Sequence, residues 1–285
     1  MKRYFTERKG ENENLYTDLA VERRRVDTDV RGVEYKSSEC EVGVWEDIRI
    51  YSEEGARALG RPTGNYSTLN IGRMDLICED EIEEVSEAVS KKLCEMVDSL
   101  GIIPERILVA GLGNRNLTPD SVGPKTAEIV KPTLHIKEMD EETFYTLGCS
   151  EIAVITPSVS ALSGLDSAEV VKGVARRIIP DVILAVDAIA TRSVERLGTT
   201  VQISDTGIFP GSGVGNSRGA VNEVTMGAPT IAIGVPTVID FRCFENGRKS
   251  DTAMLVAPKE IDEITSIAAR IIGGAINQAF GISPY

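Results

Sequence analysis

The sequence predicts an α/β protein with a mostly parallel central sheet flanked by helices, and a small antiparallel β addition near the N-terminus. From residue 78 onward, short continuous apolar runs alternate with longer segments that carry apolar residues at helical spacing. Continuous apolar runs are typical of parallel strands that helices cover on both faces. Between residues 32 and 72, apolar and polar residues roughly alternate instead, which indicates half-buried antiparallel strands.

The composition is that of a globular protein with an acidic surface. The 285 residues include 31 Lys and Arg against 44 Asp and Glu, which gives a formal net charge of −13. This charge argues against direct binding of nucleic acid, which normally needs a basic face. No apolar run reaches the roughly 18 residues of a membrane helix, and no apolar stretch follows the basic N-terminus as in a secretory signal. We therefore expect a cytoplasmic protein without a membrane partner.

The counts of histidine and cysteine exclude several kinds of catalytic site. His135 is the only histidine, so a site that needs two or three imidazoles is impossible. The five cysteines are scattered without close pairs, which favours free thiols over a zinc site or a redox motif. A Ser-His-Asp or Cys-His mechanism would have to use His135 alone.

The first 72 residues divide into an arm and a β region. Residues 1–31 are polar and charged, with too few apolar side chains to bury a core, and we predict a flexible arm. The alternation over 40–50 predicts one strand. A turn at 61–65 and a further strand at 66–71 are predicted to follow it.

The rest of the chain is predicted to alternate helices with buried strands. Acidic residues from Glu79 onward, followed by apolar residues at helical spacing, predict a helix that ends before Gly101. Further helices are predicted over 120–130, 167–179 and 259–280. The predicted strands are 107–110, 133–136, 152–155, 182–186, 200–203 and 230–235.

Two aspartates are candidates for chemistry, because the functional crevice of an open α/β sheet lies at the carboxyl ends of its strands. Asp120 follows the glycine-containing exit from one predicted strand, and Asp187 directly follows a five-residue apolar strand. Each aspartate also has an ordinary explanation. Asp120 could be the N-cap of the next helix, and Asp187 could be a capping residue or the ion-pair partner of Arg192.

A glycine-rich loop is the third candidate feature. Residues 205–216 follow a predicted strand and contain many glycines, whose backbone N–H groups can bind a phosphate or an oxyanion. The loop lacks the Gly-Lys-Ser/Thr ending of a phosphate-binding P-loop. The candidate residues of an active-site loop are Asn114, Asp205, Gly211, Gly213 and Gly215.

Two aspartates at one sheet edge predict a hydrolase. One carboxylate takes a proton from water, while the other, which is protonated, polarises a carbonyl or protonates the leaving group. Like charges held close together raise the pKa of one acid, so that it keeps its proton. Two alternatives stay open: a metal-assisted peptidase with the same aspartates as ligands, and a phosphate-binding module on the 205–216 loop.

Several long motifs resemble those of the germination proteases of spore-forming bacteria. These motifs are residues 17–22, 111–114 through 118–120 with 123–124, 186–188 with 192–193, 202–207 through 210–216, and 233–238. The resemblance implies a fold similar to that of the hydrogenase maturation endopeptidases. It also implies an atypical aspartic endopeptidase, whose two essential aspartates fall on Asp120 and Asp187. The hydrogenase maturation endopeptidases bind a metal with the help of a histidine, but no histidine stands at a comparable place after Asp187, so we expect no metal and no cofactor.

The resemblance further implies a biological role. It implies degradation of the small acid-soluble proteins that protect DNA in dormant spores, in the forespore and spore core, by a homotetramer. It also implies an inactive precursor that removes its own N-terminal segment, cutting after an acidic residue and before a large apolar residue followed by a small one. Asp18, Leu19 and Ala20 fit this pattern. We therefore predict a propeptide arm over 1–18, a cut between Asp18 and Leu19, and a single peptidase domain over 19–285.

Overall fold

The computed structural model describes residues 17–23, 30–210, 219–240 and 254–281. The strands in these ranges are β1 Val33–Cys40, β2 Gly43–Ile50, β3 Gly64–Asn70, β4 Arg106–Gly111, β5 Glu151–Ile155, β6 Val182–Thr191, β7 Thr200–Ser204, β8 Thr230–Asp240 and β9 Leu255–Val256. The helices are α1 Glu53–Leu59, α2 Glu79–Ser99, α3 Val122–Ile129, α4 Leu134–Met139, α5 Glu141–Leu147, α6 Ser160–Ser163, α7 Ser167–Ile178, α8 Glu223–Met226 and α9 Ile261–Phe280.

These strands form one mixed sheet in the order β1-β2-β3-β7-β8-β6-β4-β5, with β9 paired to β8. The block β8-β6-β4-β5 is parallel, and the other pairs are antiparallel. The α/β class is thus confirmed, but the mostly parallel sheet is found only in this block. The predicted antiparallel strands near the N-terminus, β1 to β3, join this same sheet, because β3 pairs with β7.

The connection from β6 to β7 explains why the sheet changes direction. Only residues 192–199 join these two strands. A crossover back to a parallel strand needs about a dozen residues or more. Strand β7 therefore runs antiparallel to β8 and pairs on its other side with β3.

Helices cover the sheet on two faces. On the α2/α9 face, apolar side chains of α2 and α9 pack against strand residues such as Val109, Val186 and Ile233. On the opposite α7 face, alternate residues such as Ala185 pack against α7. The amphipathic patterns that predicted α2 and α9 are confirmed, and each helix lies within two residues of its predicted bounds. Among the described helices, none has the length and apolar character needed to cross a bilayer.

Residues 17–23 are folded onto the sheet, contrary to the prediction of a flexible arm. Leu19 and Ala20 are fully buried, and Ala20 packs in a cluster with Ile48 and Ile50 of β2. The prediction failed because these few apolar residues cannot form a core alone; here they complete one that the antiparallel strands already form. The predicted arm residues 1–16 and 24–29 lie outside the described residues.

Two predicted strands have a different structure. Residues 134–139 form α4, and β5 pairs with β4 at the sheet edge instead; a short apolar run does not distinguish a strand from a helix. The predicted strand over 40–50 is the end of β1, a turn and β2. The turn depends on Gly43, whose φ is 151° and whose Cβ, if present, would lie 2.1 Å from the Asn70 carbonyl oxygen.

Ile179, which ends α7, is locally strained. Its φ is 53°, and its side chain is 74% exposed. The left-handed conformation costs a residue with a Cβ about 1–2 kcal/mol, whereas it costs glycine almost nothing. We expect Ile179→Gly to raise the free energy of unfolding by about 1 kcal/mol, measured by urea denaturation.

Ile103 is the matched control for this substitution. It is also exposed, but it is not among the described residues with positive φ. Ile103→Gly should lower the free energy of unfolding by about 0.5–1 kcal/mol, because the unfolded chain gains freedom. Equal losses of stability in the two variants would contradict the strain at Ile179.

Candidate active site

Asp187 lies at the point where β6 loses its neighbour β4. The last residue pair between them is Gly111 with Val186, whereas β6 stays paired with β8 as far as Thr191. Strand β6 therefore continues past Asp187, where its end was predicted, because β8 continues beside it. The Asp187 side chain is only 3% exposed, and its Oδ1 accepts a hydrogen bond from the Ala188 N–H at 2.9 Å.

Asp120 lies over the exit from β4. Its carbonyl oxygen accepts a hydrogen bond from the Asn114 N–H at 2.9 Å. Gly113 has a φ of 110°, and a Cβ on it would lie 3.1 Å from Asp120 Oδ1. Asp120 is not the N-cap of α3: it closes the 3-10 turn Thr118–Asp120, and Ser121 holds the N-cap position.

Backbone contacts tie both aspartates to one edge of the sheet. The Leu112 N–H donates to the carbonyl oxygen of Val186, directly before Asp187, at 2.8 Å. Gly123, in the first turn of α3, lies against the same two residues. A Cβ on Gly123 would be 2.2 Å from the Leu112 oxygen and 2.4 Å from the Val186 oxygen. Both aspartates therefore lie where β4 ends, with α3 pressed between their neighbours.

Asn114 shapes the loop that leads to Asp120. Its Oδ1 accepts a hydrogen bond from the Asn116 N–H at 3.0 Å, while its own N–H is bonded to Asp120. Its contribution here is to hold the backbone between β4 and the 3-10 turn.

Asp205 is not brought to this edge, contrary to the expectation for the glycine loop. Ser204 is level with Ala232, which is level with Ala185, two residues before Asp187. Because β7 runs opposite to β6, Asp205 is displaced from Asp187 by about 10 Å along the strands, toward the start of β6. Its carboxylate accepts hydrogen bonds from the Asn65 N–H at 2.8 Å and from Asn65 Nδ2 at 2.6 Å, so it fastens β3 to β7. Gly211, Gly213 and Gly215 lie outside the described residues.

The predicted cleavage site is docked against the end of β6. The Asp18 N–H donates to the Ala190 carbonyl oxygen, and Asp18 Oδ2 accepts from the Ala190 N–H, both at 2.9 Å. The Gln202 side chain forms hydrogen bonds on both sides of Leu19. Its Nε2 donates to the Asp18 carbonyl oxygen at 3.2 Å, and its Oε1 accepts from the Ala20 N–H at 2.8 Å. Arg61 Nη2 lies 3.7 Å from Asp18 Oδ1. The bond predicted to be cut is therefore buried.

Two buried residues near this segment, Glu22 and Gln202, were not predicted from sequence as site residues. The Glu22 carboxylate accepts hydrogen bonds from the backbone N–H groups of Arg192 and Ser193 at 2.9 and 3.2 Å, just after β6. The only sequence signal for Glu22 and Gln202 was their position inside the motifs 17–22 and 202–207.

Tyr66 supports the turn that carries Arg61. Burial raises the pKa of Tyr66 to about 12, so its hydroxyl stays protonated at any ordinary working pH. That hydroxyl donates a hydrogen bond to the Pro62 carbonyl oxygen at 2.9 Å. The position of Arg61 beside Asp18 therefore does not change with the ionisation of Tyr66.

The docked segment and Asp187 share one region of the α7 face. Asp187 and Gln202 are each level with Gly234, on the two sides of β8. Gly234 has no side chain, and the Ile189 side chain lies over it, 2.9 Å from where a Cβ would stand.

Within the described ranges, no three His, Cys, Asp or Glu side chains come together as potential metal ligands.

The sequence matches a known protein family. The model of the family described as germination protease matches residues 11–247. The germination protease of Clostridium perfringens (strain ATCC 13124) is 34% identical to this chain, over 93% of this chain and 95% of that protein. The chain belongs to the germination protease family. Germination proteases from Clostridium tetani and Priestia megaterium are 38% and 39% identical, over 90% and 80% of this chain and 77% and 64% of those proteins.

A solved structure shows a weaker likeness to this chain. It is the NiFe hydrogenase maturation protease HycI from Thermococcus kodakarensis KOD1, with 18% identity and a TM-score of 0.37. The likeness covers 64% of this chain and 98% of that protein. A likeness at this level carries no argument about the aspartates.

Gly123 offers a direct test of how the two aspartates are positioned. Any Cβ there would overlap backbone atoms on two sides, so we expect Gly123→Ala to lower the free energy of unfolding by about 3 kcal/mol or more. Thermal and urea denaturation measure this loss.

Gly173 is the matched control for this glycine. It lies inside α7, and a Cβ there would meet nothing within 4 Å. Gly173→Ala should raise the free energy of unfolding by about 0.5–1 kcal/mol through helix propensity. If Gly123→Ala and Gly173→Ala had the same free energy of unfolding, the close backbone contact inferred at Gly123 would be contradicted.

Proposed function

We propose that this member of the germination protease family is an endopeptidase that hydrolyses small acid-soluble spore proteins with the pair Asp120 and Asp187. The observation that carries the proposal is the common position of these two aspartates at the end of β4. The resemblance of the motifs 111–120 and 186–188 supports the same two residues. We also propose that the protein acts as a homotetramer in the forespore and the spore core.

The two carboxyl groups would share the work of a general base and a general acid. The ionised carboxyl takes a proton from a water molecule, whose oxygen attacks the carbonyl carbon of the substrate. The protonated carboxyl donates a hydrogen bond to the carbonyl oxygen and then a proton to the leaving nitrogen. The near-complete burial of Asp187 supports this division, because burial disfavours the charged form of a carboxyl group.

We further propose that the chain cuts itself between Asp18 and Leu19. The support is the acidic, large apolar, small pattern of residues 18–20. An accessible arm no longer supports it, because this bond is buried and its carbonyl oxygen is hydrogen-bonded to Gln202. The cut therefore requires the segment to leave the end of β6, through the local opening that such edge segments undergo.

Substitution of either aspartate tests the mechanism. In a chain that begins at Leu19, Asp120→Asn and Asp187→Asn should each slow the cleavage of a small acid-soluble spore protein by about 10³-fold or more. Mass spectrometry of the fragments measures the rate, and circular dichroism checks the fold. Asp98→Asn, on the exposed side of α2, is the control and should keep the parental rate. Parental cleavage by either active-site variant would overturn the aspartate pair.

Self-processing is tested separately on the full-length chain. We expect the N-terminus of the processed protein to be Leu19, determined by sequencing, and we expect Asp187→Asn to stay uncut under the same conditions. A first residue other than Leu19 would contradict the cleavage position. Processing of the Asp187→Asn chain at the normal rate would instead point to a foreign protease.

A further inference from the structure

Glu22 is a buried carboxylate held by neutral donors. Its side chain accepts hydrogen bonds from the hydroxyls of Thr17 and Thr191 and from the backbone N–H groups of Arg192 and Ser193. The residue is 8% exposed. No ion pair to Glu22 is found in the part of the chain that the structure describes. A buried carboxylate without a cation is costly, since its hydrogen bonds replace only part of its hydration.

The Leu19 nitrogen lies one hydroxyl group away from this carboxylate. The Leu19 N–H donates to Thr17 Oγ1 at 3.1 Å, and the same hydroxyl donates to Glu22 Oε2. The Leu19 side chain is fully buried, and the Ala20 N–H is fixed to Gln202 Oε1 at 2.8 Å. Two anchors on the C-terminal side of the nitrogen therefore hold it near Glu22 without any help from Thr17.

Hydrolysis between Asp18 and Leu19 changes the charge at this position. The C–N bond breaks, the oxygen of the water joins the Asp18 carbonyl carbon, and a carboxylate forms. The two hydrogens of the water go to the Leu19 nitrogen, which becomes a positively charged ammonium. The same cut detaches Thr17, and with it the hydroxyl that stood between the nitrogen and Glu22 Oε2.

We propose that, after the cut, the ammonium of Leu19 forms an internal ion pair with the carboxylate of Glu22. This inference rests on the proposed self-processing, because only a cut after Asp18 creates that ammonium. The reaction replaces a neutral donor to a buried anion with a cation at the same place. Ion pairs of this kind are strong when they are shielded from water and geometrically fixed.

The ion pair would connect the new N-terminus to the strand that carries Asp187. Glu22 holds the backbone of Arg192 and Ser193, which directly follow β6. A firmer Glu22 therefore fixes the end of that strand after the Asp18 contacts to Ala190 have been lost. Glu22 acts here as a positioning residue, since it reaches the reacting groups only through the backbone of β6.

A double-mutant cycle tests the ion pair without relying on self-processing. The chain beginning at Leu19 is made directly, with either a free or an acetylated N-terminal nitrogen, in the parent and in Glu22→Gln. The acetyl group stands where the Asp18 carbonyl stands in the uncut chain, so it removes the charge without adding bulk. We expect acetylation to lower the Tm of the parent by about 4 °C and that of Glu22→Gln by about 1 °C or less.

Glu151→Gln is the matched control background. Glu151 is also a buried glutamate, but it lies on edge strand β5 and pairs with Arg106 and Lys137. Acetylation should lower the Tm of Glu151→Gln as much as that of the parent. Equal losses in the parent and in Glu22→Gln would overturn the ion pair. If the directly made chain does not fold, full-length parent and full-length Glu22→Gln are folded first and then processed. The same comparison between free and acetylated Leu19 nitrogen is made on these processed proteins.

The outcomes separate the inference from the proposed function. A first residue other than Leu19 in the processed protein would overturn the cleavage site, whatever the cycle shows. A correct first residue with an additive cycle would overturn only the ion pair. The link to Asp187 is supported by two results together. The first is a non-additive cycle, and the second is that acetylation slows cleavage more in the parent than in Glu22→Gln.

Discussion

The close contact among Leu112, Gly123 and Val186 is the constraint on which the site depends. It presses the first turn of α3 against the exit from β4 and against β6, with no room for a Cβ at Gly123. Asp187 follows Val186 directly, and Asp120 precedes Gly123 by three residues. The relative position of the two aspartates is thus set by backbone packing, which relaxes far less than side-chain rotamers do. In the proposed mechanism, groups preorganised in this way would need little rearrangement during reaction.

The sequence predicted those parts of the fold that depend on local patterns. Apolar runs of the right length located β4 and β6, and the aspartates after them followed from the rule that sites lie at strand ends. Amphipathic spacing located α2 and α9. Where the prediction failed, as at residues 134–139, the local pattern suited either a strand or a helix, and pairing of β5 with β4 decided the outcome.

The features that escaped prediction depend on contacts between distant parts of the chain. The direction of β7 placed Asp205 about 10 Å from Asp187 along the strands. An apolar run does not encode the direction in which its strand will run. Considered without the rest of the chain, residues 17–23 have a sequence too polar to indicate burial. Their burial depends on Gln202 and on the end of β6, about 170–180 residues away. Periodicity carries no information on such partners, whereas the motif that contains Gln202 was already visible.

The docked segment divides into two parts at the bond between Asp18 and Leu19. Before that bond, Asp18 contacts Ala190, and Arg61 donates to the Thr17 carbonyl oxygen at 2.5 Å. After it, Ala20 is bound to Gln202, and Glu22 is bound to the residues that follow β6. A cut at this point releases the first set of contacts and leaves the second set attached to the body of the protein.

This division would reconcile the burial of the bond between Asp18 and Leu19 with the proposed self-processing. In the proposed self-processing, the closed segment protects its own peptide bond, so hydrolysis would proceed only from an opened state. The population of that state falls about tenfold for every 1.4 kcal/mol of opening free energy. Once the bond is broken, the contacts of Thr17 and Asp18 are no longer joined covalently to those of Leu19 and Glu22. The first set must then bind as a separate chain, with the entropy loss that association brings, while the second set closes again at no such cost. On this proposal, opening is reversible before the cut and would lead to loss of the segment before Leu19 after it. One hydrolysis would then convert a fluctuation of the N-terminal segment into a permanent rearrangement beside Asp187.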